Sequence, residues 1–311
     1  MRLGFFLPHI GPWAGPEALG RVATRAEEIG YDSLWVTERS LVPTDPITPY
    51  PLGDLPEVYR TVLDPLDALT FVAGQTSRVG LGTAVLNLPW YSPVLLSRRL
   101  ATIDVLSRGR LRLGLGQGWS QDEYVVAGIP WEQRGRRFEE ALTVLKTIWT
   151  TDPVEFAGDF YAIPRSFIGP KPVQRPHPPI YLGAFSPKAL ARVARYADGW
   201  LPVGYPVAAI AEAFSTIHTL AEETGRDPAG LELIVRANVE LTDQPLGGER
   251  ITFTGTTEQV AADISETRGI GATELIIDAT FDPGVSTAQD FLERMELLFR
   301  LAEKSPAGLP A

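Results

Sequence analysis

The sequence predicts an α/β protein with a (β/α)8 TIM barrel and one insertion. Strand-length apolar runs alternate eight times with helical stripes across 311 residues, interrupted once, and that alternation marks the barrel. An open doubly wound sheet is the competitor. Its dinucleotide fingerprint is G-x-G-x-x-G at the start of a helix, whereas Gly114, Gly116 and Gly118 are spaced at two and lie within a strand.

The elements follow in order. Residues 3–7 form a short apolar strand ending at Pro8-His9. A glycine-rich loop leads to a helix from Pro16, with its stripe at Leu19, Val22, Ala23, Ala26 and Ile29, closed by Gly30. Residues 33–37 make strand two, with Glu38 and Arg39 at its C-terminal end. A long proline-rich segment, 40–63, reads as a lid. Asp64 caps the second helix, with Pro65 at its first position. Strand three is 79–88, and Ser92-Pro93 opens a helix with Leu96, Leu100, Ile103 and Leu106 on one face. Strand four is 111–117, and a strongly amphipathic helix covers about 132–149. The excursion 152–179 is the insertion, with strand-like runs at 154–156 and 160–163. Strand five is 180–182, followed by a helix capped at Ser186-Pro187; strand six is 200–203. Strand seven is 231–241, and Thr256 with Gln259 forms a capping box. Strand eight, 274–279, precedes the final helix. The whole chain, 1–311, reads as one barrel domain.

Strands three and four carry an unusual alternation. Val79, Leu81, Thr83 and Val85 alternate with Gly80, Gly82 and Ala84, and Leu111, Leu113 and Leu115 precede or separate Gly114, Gly116 and Gly118. Alternate residues face opposite ways, so each strand has one bulky and one nearly bare face. A row of glycine marks close approach by backbone or by a ligand. Two readings fit: a tight barrel layer, or a large planar ligand.

Composition narrows the partners. Net charge is −10 with no basic run, which argues against nucleic acid and anionic membrane. The absence of cysteine removes thiolate chemistry and disulfides and fits a reducing cytosol, so a cytoplasmic protein is expected. Three histidines without cysteine argue against a zinc site, and no metal is assigned.

Barrel enzymes work at the C-terminal ends of their strands. That rule selects His9, Glu38, Arg39, Asn87, Gln117, Gly118, Trp119, Asp122, residues 183–186, Val203, Gly204, Asn238 and Asp278. No nucleophile elbow, phosphate loop or metal motif is present. A site of small, amide and aromatic residues suits an organic cofactor that brings its own reactivity. His9 reads either as a hydrogen-bonded strand end or as a catalytic group. Glu38 and Arg39 read either as a structural ion pair or as part of the chemistry. Gly183-Ala184-Phe185-Ser186-Pro187 joins a short loop to a helix N-terminus, which attracts an anion; Lys188 lies in its first turn.

The motifs GYDSLWVTER, RVGLGTAVLNLPWYSPVLLSRRLATIDVLSRGRLRLGLGQGW, GPKPVQRPHPPIYLG and SPKALARVARYADGWLP resemble the bacterial luciferase-like flavin and deazaflavin oxidoreductases over essentially the whole chain. They look most like an actinobacterial F420-dependent branch. The resemblance implies a homodimer through the second and third helices, and coenzyme F420 or FMN as cofactor. It also implies a cis peptide at Ala84–Val85 behind the cofactor ring, with ring contacts at Asn87, Gln117, Gly118 and Asp122. Phe185, Ser186, Lys188 and Ala189 would hold the cofactor phosphate, with Gly183 also among the cofactor-binding residues.

Two departures matter. Sugar-phosphate dehydrogenases of this family carry Asp-His where this chain has Glu38-Arg39, and a catalytic Glu at the Trp119 position. Arginine cannot act as a general acid at neutral pH. Of the catalytic candidates His9, Glu38, Arg39 and Trp119, His9 is then the remaining histidine able to exchange protons. The expected activity is hydride transfer between F420 and a small organic substrate. The alternatives are a reduced-FMN monooxygenase using O2, and a cofactor-binding barrel that has lost its catalyst.

Overall fold

A computed structural model describes residues 1–51 and 53–305; residue 52 of the expected lid and the last six of the 1–311 domain lie outside the described residues. Eight parallel strands close into a barrel. In order around it they are β1 (Arg2–Phe6), β2 (Ser33–Val36), β3 (Gly80–Asn87), β4 (Leu111–Gly116), β7 (Ile180–Leu182), β8 (Gly199–Trp200), β9 (Glu232–Asn238) and β12 (Glu274–Asp278). Two side ribbons complete the strand count: β5 (Val154–Ala157) with β6 (Ala162–Ser166), and β10 (Glu240–Leu241) with β11 (Thr254–Gly255).

The helices are α1 (Pro16–Ile29), α2 (Pro65–Ala73), α3 (Pro93–Leu106), α4 (Gln121–Val126), α5 (Arg134–Thr150), α6 (Pro187–Tyr196), α7 (Val207–Glu223), α8 (Thr257–Gly269) and α9 (Ala288–Lys304). Their starts follow the sequence signals. Asp64 accepts the N–H groups of Leu66 and Asp67, Ser186 accepts that of Ala189, and Thr256 and Gln259 complete the capping box. Such caps satisfy N–H groups that the first turn leaves free. None of the described helices is long and apolar enough to cross a membrane.

Three elements differ from the sequence reading. Strand six keeps only Gly199–Trp200, with Val203 reduced to a single bridge to Arg236, because Pro202 lacks the N–H that a ladder needs. The run 231–241 splits into β9 and β10, the latter leaving the barrel to pair with β11. The short α4 was not expected, since its six residues are too few for a legible helical period.

The glycine row resolves in favour of packing. Register slips between Thr83 and Leu86, so β3 bulges toward β4. A Cβ at Gly114 would strike the Thr83 carbonyl oxygen, and one at Gly116 would lie 2.5 Å from Val85 Cγ2. At Gly82 the space belongs to the Trp35 indole, whose Cζ3 would be 2.5 Å from an added Cβ. The bare face of β3 is thus filled by a side chain of β2 at Gly82, and opens only farther up, at Val85. Below, Glu274 is fully buried and closes the barrel's N-terminal end. It accepts from Arg2 Nε at 3.1 Å and Trp35 Nε1 at 3.0 Å, and also from Arg112 and Ser33. A buried carboxylate needs such pairing, and this end contributes stability while the other carries the site.

Candidate active site

The mouth is built from the C-terminal ends of the strands and from the segment 40–63. Val58, Tyr59 and Val62 of that segment pack on an interior cluster that includes Phe6, Ile10, Trp35, Ala84 and Leu201. Two anchors hold its ends. Leu63 N–H donates to His9 O at 2.9 Å, and Gly11 N–H to Thr61 O at 2.9 Å. At the other side, Asp122 accepts Ile47 N–H at 2.9 Å and Thr48 N–H at 3.2 Å. Burial pushes the Asp122 carboxyl up, but these N–H donors outweigh it and hold the group below its ordinary value. Its oxygens therefore face the backbone of the 40–63 segment and tie that segment to the start of α4.

His9 is fully enclosed. Its Nδ1 donates to Leu7 O at 2.9 Å, which fixes the proton there, and Nε2 accepts Thr37 N–H at 2.9 Å. Burial lowers its pKa from 6.5 to about 4, so the ring is neutral at neutral pH. With both nitrogens committed to backbone, it staples the ends of β1 and β2. The Glu38-to-Arg39 ion pair considered from sequence does not form. Arg39 turns to Glu123 of α4, Nη1 to Oε2 at 2.9 Å, with side chains only 6% and 2% exposed. Glu123 also accepts Ser40 N–H at 2.8 Å. The guanidinium lies 4.6 Å from the Trp119 ring and 5.5 Å from the Tyr59 ring, while Tyr50 packs on Trp119 at 5.4 Å. These four form an aromatic and cationic wall of the mouth.

Glu38 is released by that arrangement. It accepts Asn87 N–H at 2.7 Å and the Tyr91 hydroxyl, and no cation pairs with it among the described residues. Burial raises its pKa from 4.5 to about 7, despite those two hydrogen bonds. Its own N–H donates to Val85 O at 3.3 Å, which seats it beside the opening of β3. The Ala84–Val85 peptide is cis. Arg236, buried in β9, donates to Ala84 O at 2.9 Å and pairs with Asp278 at 2.6 Å. Val85 is half-exposed toward the mouth and touches the space over Gly116 and Gly183.

Gln117, Gly118 and Asn87 flank that opening. Gly118 sits at φ +80°, with Asn87 Oδ1 3.2 Å from where its Cβ would be, a conformation that favours glycine. Farther along, Gly183, Phe185, Ser186, Lys188 and Ala189 gather at the start of α6. Phe185 is 57% exposed and stacks on Tyr205 at 5.6 Å. Lys188 is exposed and forms no ion pair among the described residues. A cavity of about 460 Å3 adjoins the mouth, lined by Tyr50, Gly204, Arg236, Asn238 and Phe281, among others. Asn238 Oδ1 is buried without a partner.

Sequence reasoning missed Arg236, Glu123 and Arg192. Arg236 was findable, as a charge inside the otherwise apolar run LELIVRAN; Glu123 was not, because its partner is 84 residues away.

The luciferase-like monooxygenase family model matches residues 1–245. An uncharacterized protein of Mycobacterium tuberculosis is 35% identical over 72% of this chain and 79% of its own length. The F420-dependent glucose-6-phosphate dehydrogenase of Amycolatopsis mediterranei is 33% identical, covering 60% of this chain and 53% of that protein. The FMNH2-dependent dimethylsulfone monooxygenase of Pseudomonas putida is 37% identical, covering 48% and 42%. In fold, the chain is similar to the coenzyme F420-dependent tetrahydromethanopterin reductase of Methanopyrus kandleri, with TM-score 0.75 at 17% identity, covering 98% of each chain.

Proposed function

As the chain belongs to the luciferase-like monooxygenase family, we propose that it transfers a hydride between coenzyme F420 and a small organic substrate. The residues present fit a ring that ends in a phosphate. Val85, Asn87, Gln117 and Gly118 would border the ring, while Gly183, Phe185, Ser186, Lys188 and Ala189 would meet the phosphate at the α6 N-terminus. When bound, the cofactor supplies a two-electron hydride acceptor or donor.

The observation that carries this choice is Glu38. Taking a hydride from an alcohol carbon leaves a proton to be accepted, and the best base titrates near the working pH. Glu38, raised to about 7, meets that condition beside Val85. Tyr91 and the Asn87 N–H orient its carboxylate. His9, neutral and enclosed, positions the strand ends. Arg39, held by Glu123, presents charge and the Trp119 face to the substrate side, and the lid excludes water.

The test is to add F420 and reduced FMN separately to purified protein, following binding, oxygen uptake and F420 reduction with a panel of alcohols. F420 binding with alcohol-dependent reduction is expected. Tight FMN binding with oxygen consumption would instead establish the monooxygenase reading. F420 binding without turnover on any substrate would favour a barrel that has lost its catalyst. We further infer a homodimer through α2 and α3, supported by exposed Phe71, Leu95 and Leu106 on that face; a monomer by sedimentation would refute it.

A further inference from the structure

The cavity of about 460 Å3 beside the mouth holds a polar group that the fold leaves unanswered. Arg236 and Asn238 stand on one face of β9, since alternate residues of a strand point the same way. Arg236 is fully engaged. It pairs with Asp278 at 2.6 Å, donates to Ala84 O at 2.9 Å and lies 4.1 Å from the Phe6 ring centroid. Asn238, about 7 Å farther along the strand, lines the same cavity, and its Oδ1 is buried with no partner. A buried polar atom left unpaired destabilises the fold. A half-turn about χ2 can bring either end of this amide to a ligand.

The walls restrict what that ligand can be. Tyr50, Tyr205 and Phe281 supply flat apolar surface. Tyr50 also packs on Trp119 at 5.4 Å and Phe281 on Tyr59 at 5.7 Å, so the cavity continues the aromatic wall of the mouth. Its uncompensated charges have one sign. Asp278 neutralises Arg236, and Asp263 neutralises Arg250 through contacts of 2.5 and 2.7 Å. Glu240 and Asp54 line the cavity too and form no ion pair among the described residues. Burial and the nearby Asp282 carboxylate hold Glu240 above its ordinary value, which marks this as a poor place for negative charge. An anion brought here would meet carboxylates and no free cation among the described residues.

We propose that this cavity selects a neutral aromatic alcohol or ketone of about two rings that bears a carboxamide-like group, and that Asn238 determines this specificity by hydrogen-bonding that group. One amide matches another with one donor and one acceptor. Because Arg236 is anchored to Ala84 O at the opening of β3, the reacting carbon would lie at the inner end and the second polar group at Asn238. That the occupant is a substrate rests on the hydride-transfer reading; that the cavity selects it does not. Asn238 only binds, and no bond is made or broken at it.

The test measures, by calorimetry on the purified protein alone and with F420, the binding of three acetylnaphthalenes. They carry a carboxamide, a carboxylate or a methyl group on the far ring. The carboxamide is expected to bind about tenfold more tightly than the methyl compound, and the carboxylate about tenfold more weakly than the carboxamide. Asn238→Leu, close in volume, should erase the carboxamide's advantage and leave the methyl compound's affinity unchanged. Glu240→Gln should bring the carboxylate several-fold closer to the carboxamide. Equal affinities for the three probes on the wild-type protein, or an advantage that survives in Asn238→Leu, would overturn the site and leave the F420 reading standing; the wild-type series decides if a variant fails to fold. Selective carboxamide binding with no oxidation of reduced F420 by that ketone would uphold the site and count against the hydride-transfer reading instead.

Discussion

Glu38 and His9 should pull the pH dependence of stability in opposite directions, and Glu38→Gln should reveal it. His9 is lowered from 6.5 to about 4 by burial. The folded state then binds fewer protons than the unfolded state in that window, so its contribution is complete above 6.5 and is lost as pH falls toward 4. Glu38 is raised from 4.5 to about 7, again by burial. There the folded state binds more protons, so stability is complete below 4.5 and falls as pH rises toward 7. Each shift spans about 2.5 units, or about 3 kcal/mol at ~1.4 kcal/mol per unit. Over their shared window the two slopes nearly cancel in the wild type. Glutamine keeps one acceptor oxygen but has no ionisation cost. Urea unfolding of both proteins across this pH range should therefore show Glu38→Gln gaining about 2–3 kcal/mol over wild type as pH rises from about 5 to about 8. The same variant should lose the rise in kcat/KM near pH 7. A stability difference that stays constant with pH would refute the assignment of a raised pKa to Glu38.

Three further outcomes follow from the mouth and the glycine row. Arg39→Met leaves Glu123 buried with only the Ser40 N–H, so it should cost about 3–5 kcal/mol in denaturant melts, and adding Glu123→Gln should recover part of that loss. Gly116→Ala sets a methyl 2.5 Å from Val85 Cγ2 and should cost about 1–3 kcal/mol, largely relieved by Val85→Ala. Asp122→Ala removes the acceptor for Ile47 and Thr48 N–H; limited proteolysis should then cut within 40–63 faster, with the melting temperature changed by only a few degrees.

Much of the barrel was legible because periodicity and caps are local. Asp64, Ser186 and Thr256 announced three helices by side chains that reach two or three residues ahead. The placement of site residues at strand ends was legible for the same reason. What those residues do was less so, because it depends on partners far along the chain. Arg39 looked like a neighbour for Glu38, yet α4 supplies Glu123, and that choice leaves Glu38 unpaired and free to titrate near neutrality. His9 looked like a proton carrier from its position alone; enclosure by the Leu7 carbonyl and the Thr37 N–H gives it a backbone-stapling geometry instead.

The glycines of β4 show how packing and site are linked. Gly114 and Gly116 are bare because β3 crowds them with the Thr83 carbonyl and the Val85 side chain. That same bulge carries Val85 upward into the mouth, where Glu38 N–H meets its carbonyl and Arg236 meets the carbonyl of Ala84. A side chain at either glycine would strike the Thr83 carbonyl or the Val85 side chain and force β3 to shift. The glycine row is thus a packing feature whose consequence is the shape of the site, so Gly116→Ala should weaken cofactor binding as well as stability, and Val85→Ala should restore the second more fully than the first.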